Sequence, residues 1–195
     1  MYTIIGTPRT RTLRVLWLLE EMGLPYTHHP AAPHAHEVLT HNPAGKVPIL
    51  LTGDVTITDS TAILTYLADN HAQFTAPPGT LARAQQDSLT QFLLDEIEGP
   101  LWMAARHSFV LPAEQRMPEI KPSLKWEYAR SLTRLAARLQ GPFLLGDAPT
   151  IPDIIATHCL LWAGLSKFPA TEGLLADYQS RMTGRPALAR AMARE

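Results

Sequence analysis

The chain has 195 residues, enough for one large or two small domains with a sizeable core, and its 46% hydrophobic content is ordinary for a globular protein. A net charge of -1 and a pI of about 6.7 give no indication of a nucleic-acid or membrane-surface partner. The single cysteine excludes an internal disulfide and fits a reducing compartment. With no signal peptide or membrane-spanning apolar run evident, the sequence predicts a cytoplasmic protein.

The N-terminal part of the chain alternates between short strand-like and longer helix-like patterns. Residues 2–5 predict a strand, residues 12–24 predict an amphipathic helix that stops at Gly23, and residues 26–29 predict a second strand. A helix between two such strands predicts a parallel pair with a right-handed crossover.

A second strand-and-helix pattern follows an irregular stretch at residues 30–41. Residues 47–51 and 55–58 flank Gly53-Asp54 and predict an antiparallel hairpin. Residues 60–70 predict a helix that begins at a serine cap. The first domain is therefore expected to be α/β.

The pattern changes after residue 71, where a Pro-Pro-Gly linker is followed by helix-like segments without a convincing strand. The fold class predicted is thus an α/β domain over residues 1–72 followed by an all-helical domain over residues 80–195. The predicted helices are 80–109, bent near Gly99-Pro100; 123–141; 150–165, with a capping box of Thr150 and Asp153; and about 171–183 and 186–193.

Pro48 lies at the start of a predicted strand, where a residue without a backbone N–H fits poorly. Either this strand is an edge, or its start leaves backbone groups free for another purpose. If the Val47–Pro48 bond is cis, the Val47 N–H and C=O project sideways and can pair with an extended peptide.

Two polar turns precede helices and complete a candidate binding site. The threonines of "GTPRTRT" (6–12) and the following helix N-terminus can donate hydrogen bonds to an anion. Ser60, at the next helix N-terminus, can hold a carboxylate, and Asp59 beside it can hold an ammonium. Together with Val47 these groups predict a receptor for a small peptide, placed in the cleft between the two domains.

Five motifs in this order resemble the cytosolic glutathione transferases over nearly the full chain, and the resemblance is to bacterial serine-type members with Thr in place of Ser. It implies a thioredoxin-like N-terminal domain, a helical C-terminal domain, a homodimer, and a role in detoxification with glutathione as co-substrate. The motifs are Gly6-x-Pro8, "LEEMGLPY" (19–26), "NPAGKVPIL" (42–50), "TDSTAILTYL" (58–67) and "FLLGDAPTIPDI" (143–154).

The resemblance also assigns the glutathione contacts. It implies that Val47, before a cis Pro48, pairs with the cysteinyl backbone, and that Asp59 and Ser60 hold the γ-glutamyl end. It places Lys46 near the glutathione carboxylates. A histidine, His34 or His36, is a candidate for the glycyl carboxylate.

The sequence departs from the family at the catalytic position, where members carry Tyr, Ser or Cys. The family pattern Gly-x-Pro-x-Ser aligns with Gly6-x-Pro8-x-Thr10, so the hydroxyl that stabilises the thiolate is assigned to Thr10. Thr7 and Thr12 stay open as alternatives, and Thr10 and Thr12 could be helix caps only. Arg11 is expected to add positive potential.

The predicted long helix carries the candidate electrophile pocket, formed by Trp102, Met103, Arg106 and His107, although core packing explains Trp102 equally well. Several histidines between residues 28 and 41 lack the spacing and the accompanying cysteine of a zinc site, so no metal is expected. Cys159 lies in an apolar helix and is expected to be an inert core thiol.

The leading functional prediction is a transferase that conjugates the glutathione thiolate to a small hydrophobic electrophile. The main alternative is a catalytically weak module with the same fold that serves ligand or protein binding, since Tyr, Ser and Cys are missing from the catalytic position. A thiol–disulfide reductase is a third option, with no cysteine near the proposed site.

Overall fold

The computed structural model describes residues 1–194, which form two compact units. The first contains residues 1–78 together with residues 183–194, and the second contains residues 79–182. The predicted fold class is confirmed: a thioredoxin-like α/β domain is followed by a helical domain. The predicted boundaries at residues 72 and 80 stay a prediction.

The first unit is built on a four-stranded mixed sheet in the order β2-β1-β3-β4. Strand β1 is parallel to β2 and antiparallel to β3, and β3 is antiparallel to β4. The parallel β1–β2 pair and the β3–β4 hairpin predicted from the sequence are therefore confirmed. The elements are β1 (Tyr2–Ile5), α1 (Thr12–Met22), β2 (Tyr26–His29), α2 (His36–His41), β3 (Ile49–Thr52), β4 (Val55–Thr58), α3 (Ser60–His71) and α9 (Pro186–Met192).

Strand β3 lies inside the sheet, between β1 and β4, so Pro48 does not mark an edge strand. The ladder pairs Ile5 with Ile49, and Pro48 stands just outside it. A missing N–H at this position costs the sheet nothing, because the strand begins one residue later.

Two local predictions for the first unit need correction. Residues 30–41 are not wholly irregular, because α2 forms over the last six of them and buries Val38 against the sheet. The cap of α3 is Asp59 rather than Ser60, and its carboxylate accepts the Thr61 and Ala62 N–H groups. The stop at Gly23 is confirmed, with a left-handed φ of 63°.

The last helix returns to the first unit and packs against α1. Two adjacent acidic residues at the C-terminal end of α1 anchor it. Glu21 pairs with Arg185, and Glu20 pairs with Arg190 and Arg194. We call these five residues the C-terminal clamp.

The second unit is helical throughout its described regular elements, and a helix-like run covers residues 81–110 as predicted. Pro100 has no N–H to donate to the carbonyl four residues earlier, and a π-helical segment ends two residues before it, at Glu98. The elements are α4 (Leu81–Phe92), a π segment (Leu93–Glu98), α5 (Gly99–Ala105), a second π segment (Arg106–Val110), two short 3-10 turns (Ala113–Gln115 and Pro118–Ile120), α6 (Lys121–Ala136), α7 (Ile151–Leu165) and α8 (Leu174–Thr183).

Helix α6 ends earlier than predicted, at Ala136 rather than at residue 141. The Arg138 and Leu139 N–H groups bond to carbonyls three residues back, so the chain tightens into turns before it reaches Gly141. The capping box of Thr150 and Asp153 at the start of α7 is confirmed. Across residues 1–194, none of the helices has the length and apolar character needed to cross a bilayer.

Candidate functional site

The turn between β1 and α1 is held close to both α1 and the chain before β3. Gly6 has a φ of 140°, and a Cβ built on it would lie 2.2 Å from the Thr12 hydroxyl oxygen and 2.9 Å from the Val47 Cβ. Only glycine fits this position, because any side chain would be both strained and in collision. Gly6 therefore brings the threonine turn and Val47 together.

Three threonines in this turn form a local hydrogen-bond network. The Thr10 hydroxyl donates to the Thr7 carbonyl oxygen at 2.8 Å and lies 2.9 Å from the Thr12 hydroxyl. It also accepts the Thr12 N–H at 3.2 Å. Because Thr10 has one hydroxyl hydrogen and gives it to Thr7, the hydrogen between the two hydroxyls comes from Thr12.

Solvent access separates the three candidates for the thiolate-stabilising hydroxyl. Thr12 is completely buried, whereas Thr10 and Thr7 are half-buried. A ligand sulfur can reach Thr10 directly but can be influenced by Thr12 only through Thr10. The Thr7 hydroxyl accepts the Arg9 N–H at 3.4 Å and donates to no residue within 1–194.

Val47 has an anchored side chain and an open backbone. Its side chain packs on the core cluster of Ile5, Ala31, Val38 and Ile49. Its N–H and C=O form no hydrogen bond with any residue within 1–194. The Val47–Pro48 bond is cis, as predicted.

The segment before Val47 is fixed by Asn42, whose amide donates to the Lys46 carbonyl at 2.9 Å. The Lys46 side chain extends into solvent. The exposed His34 ring lies over Gly45, where a Cβ would be 2.0 Å from the ring Nδ1. The structure thus places the His34 ring, from the loop before α2, against Gly45, the residue next to Lys46 in the loop after α2.

The N-terminus of α3 presents both a carboxylate and a free backbone donor. Asp59 has a φ of 73°, and its Oδ1 accepts the Thr61 and Ala62 N–H groups at 2.8 and 3.2 Å. Its Oδ2 bonds to no residue within the described chain. The Ser60 N–H is likewise unpaired among residues 1–194, although the next three N–H groups of α3 are satisfied.

A buried guanidinium supports Ser60. Arg14 has no exposed surface, and its Nη1 donates to the Ser60 hydroxyl oxygen at 3.3 Å. Helical periodicity places Arg14 off the apolar face of α1, so the sequence gives no signal of this burial. Ser60 itself is 2% exposed.

His28 is a second residue that the sequence does not identify. It lies on β2, and its ring Nε2 is 2.7 Å from the Gly6 carbonyl oxygen. Alternation along a four-residue strand gives no indication that this side chain reaches the β1–α1 turn.

The four predicted electrophile-pocket residues lie on α5 and the π segment after it, and all are half-buried. The His107 Nδ1 accepts the Met117 N–H at 3.0 Å, which ties the following loop to the helix. Met103 lines a groove of about 420 Å³ between α5 and α6, together with Pro100, Leu124 and Arg130, whereas Trp102, Arg106 and His107 do not line it.

In the second unit, Asp153 is a carboxylate with a raised pKa, and its role is structural. Burial raises the pKa of Asp153, against the hydrogen bonds from Leu144, Thr150 and Tyr178 that lower it. These bonds hold the start of α7, so Asp153 is a cap and not a site residue. Among residues 1–194, His, Cys, Asp and Glu side chains form no group of three placed to share a metal ion.

Residues 10–70 match the sequence model of a family described as "Glutathione S-transferase, N-terminal domain". Among curated proteins, "Glutathione S-transferase tcpG" of Claviceps purpurea (strain 20.1) is 28% identical over 167 residues. The match covers 76% of this chain and 66% of the relative, so it spans just under two thirds of the relative's length.

Many solved structures resemble this chain, and two of them illustrate the similarity over nearly its whole length. A glutathione transferase from Methylococcus capsulatus str. Bath has a TM-score of 0.82 at 26% identity, covering 99% of this chain and 98% of that one. The glutathione transferase URE2P6 of Phanerochaete chrysosporium, in complex with oxidized glutathione, has a TM-score of 0.77 at 26% identity, with 98% and 94% covered. These similarities support a glutathione transferase family and its fold.

Proposed function

We propose that this chain is a glutathione transferase and that it conjugates the glutathione thiolate to a small hydrophobic electrophile. The family similarity of the first domain and the complex of URE2P6 with oxidized glutathione support glutathione as the ligand. The remaining support comes from the chemistry of the first unit.

The backbone of Val47 carries the proposal. Its N–H and C=O have no partner among residues 1–194, and its side chain packs against the core cluster, so both groups are already oriented. An extended peptide can satisfy both at once by pairing as a short added strand. In this proposal the cysteinyl residue of glutathione occupies that position.

The α3 N-terminus provides the matching amino-acid site. The unpaired Ser60 N–H and the Ser60 hydroxyl donate to the γ-glutamyl carboxylate, and the helix N-terminus favours that negative charge. Asp59 Oδ2, which the capping bonds leave open, accepts from the γ-glutamyl ammonium. Lys46 and His34 lie near the glycyl end.

Thr10 is the proposed thiolate donor. Turning its hydroxyl from the Thr7 carbonyl to a thiolate exchanges a neutral bond of about 0.5–1.5 kcal/mol for a charged one of about 1.5–3 kcal/mol. Thr12 continues to donate to the Thr10 oxygen through its hydroxyl and N–H, which strengthens Thr10 as a donor. Arg11 and the α1 N-terminus add positive potential.

The chemistry that follows is a nucleophilic attack. A free thiol has a pKa of about 8.5, and lowering it by about two units requires about 2.7 kcal/mol of thiolate stabilisation. The thiol proton passes to water, and the sulfur forms a new bond to the electrophilic carbon. With a halide-bearing electrophile, the halide leaves with the electron pair of its bond to carbon. The electrophile-binding role of Trp102, Met103, Arg106 and His107 on the helical unit stays a prediction.

The direct test is glutathione binding by calorimetry together with turnover of chlorodinitrobenzene. Ser60→Ala removes one carboxylate donor while the backbone N–H stays, and we expect it to weaken glutathione binding about tenfold. Ser123→Ala, at an exposed serine on α6, is the matched control and should bind normally. A wild-type protein that does not bind glutathione would refute the proposal.

The second candidate is a glutathione-binding module with little turnover. One observation favours it: the Thr10 hydrogen is given to a backbone carbonyl and Thr12 is sealed from solvent. In that case the protein binds glutathione, but its bound thiol titrates as it does in water. Thiol–disulfide exchange has no support, because Cys159 is completely buried.

A further inference from the structure

We infer that His28 is a positioning residue that holds the Gly6–Thr7 peptide in the orientation the thiolate-binding turn requires. The inference rests on the proposed function, because the turn acquires a catalytic role only if glutathione binds there. His28 touches neither the sulfur donor nor the proposed ligand contacts directly.

Both the N–H and the C=O of Gly6 are hydrogen-bonded to adjacent residues of β2. The Gly6 N–H donates to the His29 carbonyl at 3.1 Å, and the Gly6 carbonyl lies 2.7 Å from His28 Nε2. Because a carbonyl can only accept, the imidazole must carry its hydrogen on Nε2. The first bond continues the parallel pairing of β1 with β2, whereas the second comes from a side chain.

The carbonyl that His28 holds is directly connected to the Thr10 network. It belongs to the Gly6–Thr7 peptide, and the next carbonyl along the chain, that of Thr7, receives the Thr10 hydroxyl. The same Gly6 is in close approach to Thr12 and Val47. A rotation of this peptide therefore moves the Thr7 acceptor relative to Thr10 and disturbs the contact with Val47.

The side chain of His28 is half-buried, so a carbonyl without its donor would be only partly hydrated. Losing this hydrogen bond should loosen the turn without unfolding the sheet, because β1 and β2 keep their backbone ladder. The expected effect is local and falls on the orientation of Thr10.

The experiment compares His28→Leu, which removes the donor, with His28→Gln, whose amide can still donate to the carbonyl. His29→Leu is the matched control, because its side chain is half-exposed on the same strand and its carbonyl still receives the Gly6 N–H. Each variant is measured for amide hydrogen exchange, glutathione affinity, ultraviolet titration of the bound thiol, and kcat.

We expect His28→Leu to speed exchange of the Thr10 and Thr12 amides about fivefold, the factor given by about 1 kcal/mol at 1.4 kcal/mol per tenfold change. The kcat should fall about fivefold and the thiol pKa should rise, whereas glutathione affinity changes less than about twofold. His28→Gln should recover most of each loss, and His29→Leu should match the wild type.

Unchanged exchange and kcat in His28→Leu would overturn the inference, as would a glutamine variant no better than leucine. Loss of glutathione affinity equal to the loss of kcat would show a general structural role instead. If the wild type does not bind glutathione, the proposed function fails, and the exchange of Thr10 and Thr12 still decides whether His28 holds the turn.

Discussion

Arg185 and Glu21 form a two-point ion pair across 164 residues of chain, with Nε and Nη2 of the arginine at 2.5 and 2.8 Å from the two carboxylate oxygens. The Trp17 indole N–H donates to the same carboxylate at 2.8 Å. Because the Glu21 side chain is only 9% exposed, the pair is largely shielded from solvent. It fixes the start of α9 on α1.

Arg185→Ala should destabilise the first unit, since it leaves the largely buried Glu21 carboxylate bonded to the Trp17 N–H but without the arginine cation. We expect a loss of about 1.5–3 kcal/mol in the free energy of unfolding, the range for hydrogen bonds to charged groups. Urea titration measures the change. Arg181→Ala is the control, because within residues 1–194 that exposed arginine donates to a neutral acceptor, the Pro142 carbonyl. Equal losses in both variants would contradict a specific role for the clamp.

Glu20 should make the free energy of unfolding depend on pH in the acidic range. Burial alone would raise its pKa, but hydrogen bonds from Arg190, Tyr26 and Arg194 outweigh burial and lower it. Because the pKa of Glu20 is lower in the folded state, its ionised form stabilises the protein fully at pH values above the unfolded-state pKa of about 4.3. That stabilisation is lost as the pH falls through the folded-state pKa.

The measurement is the difference in unfolding free energy between wild type and Glu20→Gln as a function of pH. The difference should be largest near pH 7 and should shrink below about pH 4. Asp54→Asn, at the exposed tip of the β3–β4 hairpin, should change stability little. A Glu20→Gln difference that stays constant down to the acid transition would contradict the prediction.

Thr10→Val keeps the side-chain shape and removes the hydroxyl. We expect the pKa of bound glutathione to rise by about one to two units and turnover at neutral pH to fall about tenfold or more, since one unit is about 1.36 kcal/mol. Glutathione affinity should fall far less, because in the proposed site Val47, Asp59 and Ser60 are the residues that hold the peptide. Ultraviolet absorbance of the thiolate as a function of pH measures the pKa of the bound thiol.

Companion variants identify the hydroxyl. Thr7→Val should leave the titration unchanged, because the Thr7 group that Thr10 uses is its backbone carbonyl. Thr12→Val should raise the thiol pKa by less than Thr10→Val, since Thr12 acts only through Thr10. A shift confined to Thr7→Val would assign the donor to Thr7, whose hydrogen is not used within residues 1–194.

Asp59→Asn separates ligand binding from helix capping. The amide oxygen can still accept the Thr61 and Ala62 N–H groups, and asparagine tolerates a left-handed φ, so stability should be nearly unchanged. Glutathione affinity should fall about tenfold, or about 1.4 kcal/mol, because the ammonium loses its charged partner.

Asp59→Ala is the comparison variant. It should lose the same affinity and, in addition, about 1 kcal/mol of stability with the cap. Calorimetry and thermal unfolding together measure both effects. Unchanged glutathione affinity in Asp59→Asn would remove Asp59 from the γ-glutamyl site.

Arg106→Ala should raise the KM for the electrophile and leave glutathione affinity unchanged, because Arg106 belongs to the helical unit. His107→Ala is a less direct probe, since it also releases the Met117 N–H and loosens the loop after the π segment. Steady-state kinetics with each substrate varied in turn separates an effect on the electrophile from an effect on glutathione. Equal losses for both substrates in Arg106→Ala would indicate a folding effect.

Local patterns predicted the regular part of the fold. Apolar periodicity with Gly23 located α1, Gly53-Asp54 located the hairpin, and Thr150 with Asp153 located the start of α7. Each signal acts within a few residues, so the surrounding fold does not alter it. Helix α2 escaped prediction because six residues provide less than two turns of periodicity.

Other features depend on residues far apart in sequence. Arg14 is fully buried, and its guanidinium donates a hydrogen bond to the Ser60 hydroxyl oxygen, 46 residues later in the chain. Helical periodicity alone predicts that a charged residue at this position lies at the surface. His28 reaches Gly6 across the sheet. The glutathione-binding roles of Val47, Asp59 and Ser60 stay proposals.

The return of α9 makes the first unit discontinuous along the chain, with residues 79–182 inserted between its two parts. During synthesis the N-terminal part emerges first and would ordinarily fold first. Here Glu20 and Glu21 meet Arg185, Arg190 and Arg194 only after the whole helical unit has been made. The nascent N-terminal domain therefore lacks these ion pairs until synthesis of the chain is complete. On a ribosome stalled before residue 185, Glu20 and Glu21 of α1 would have none of the three arginines as partners.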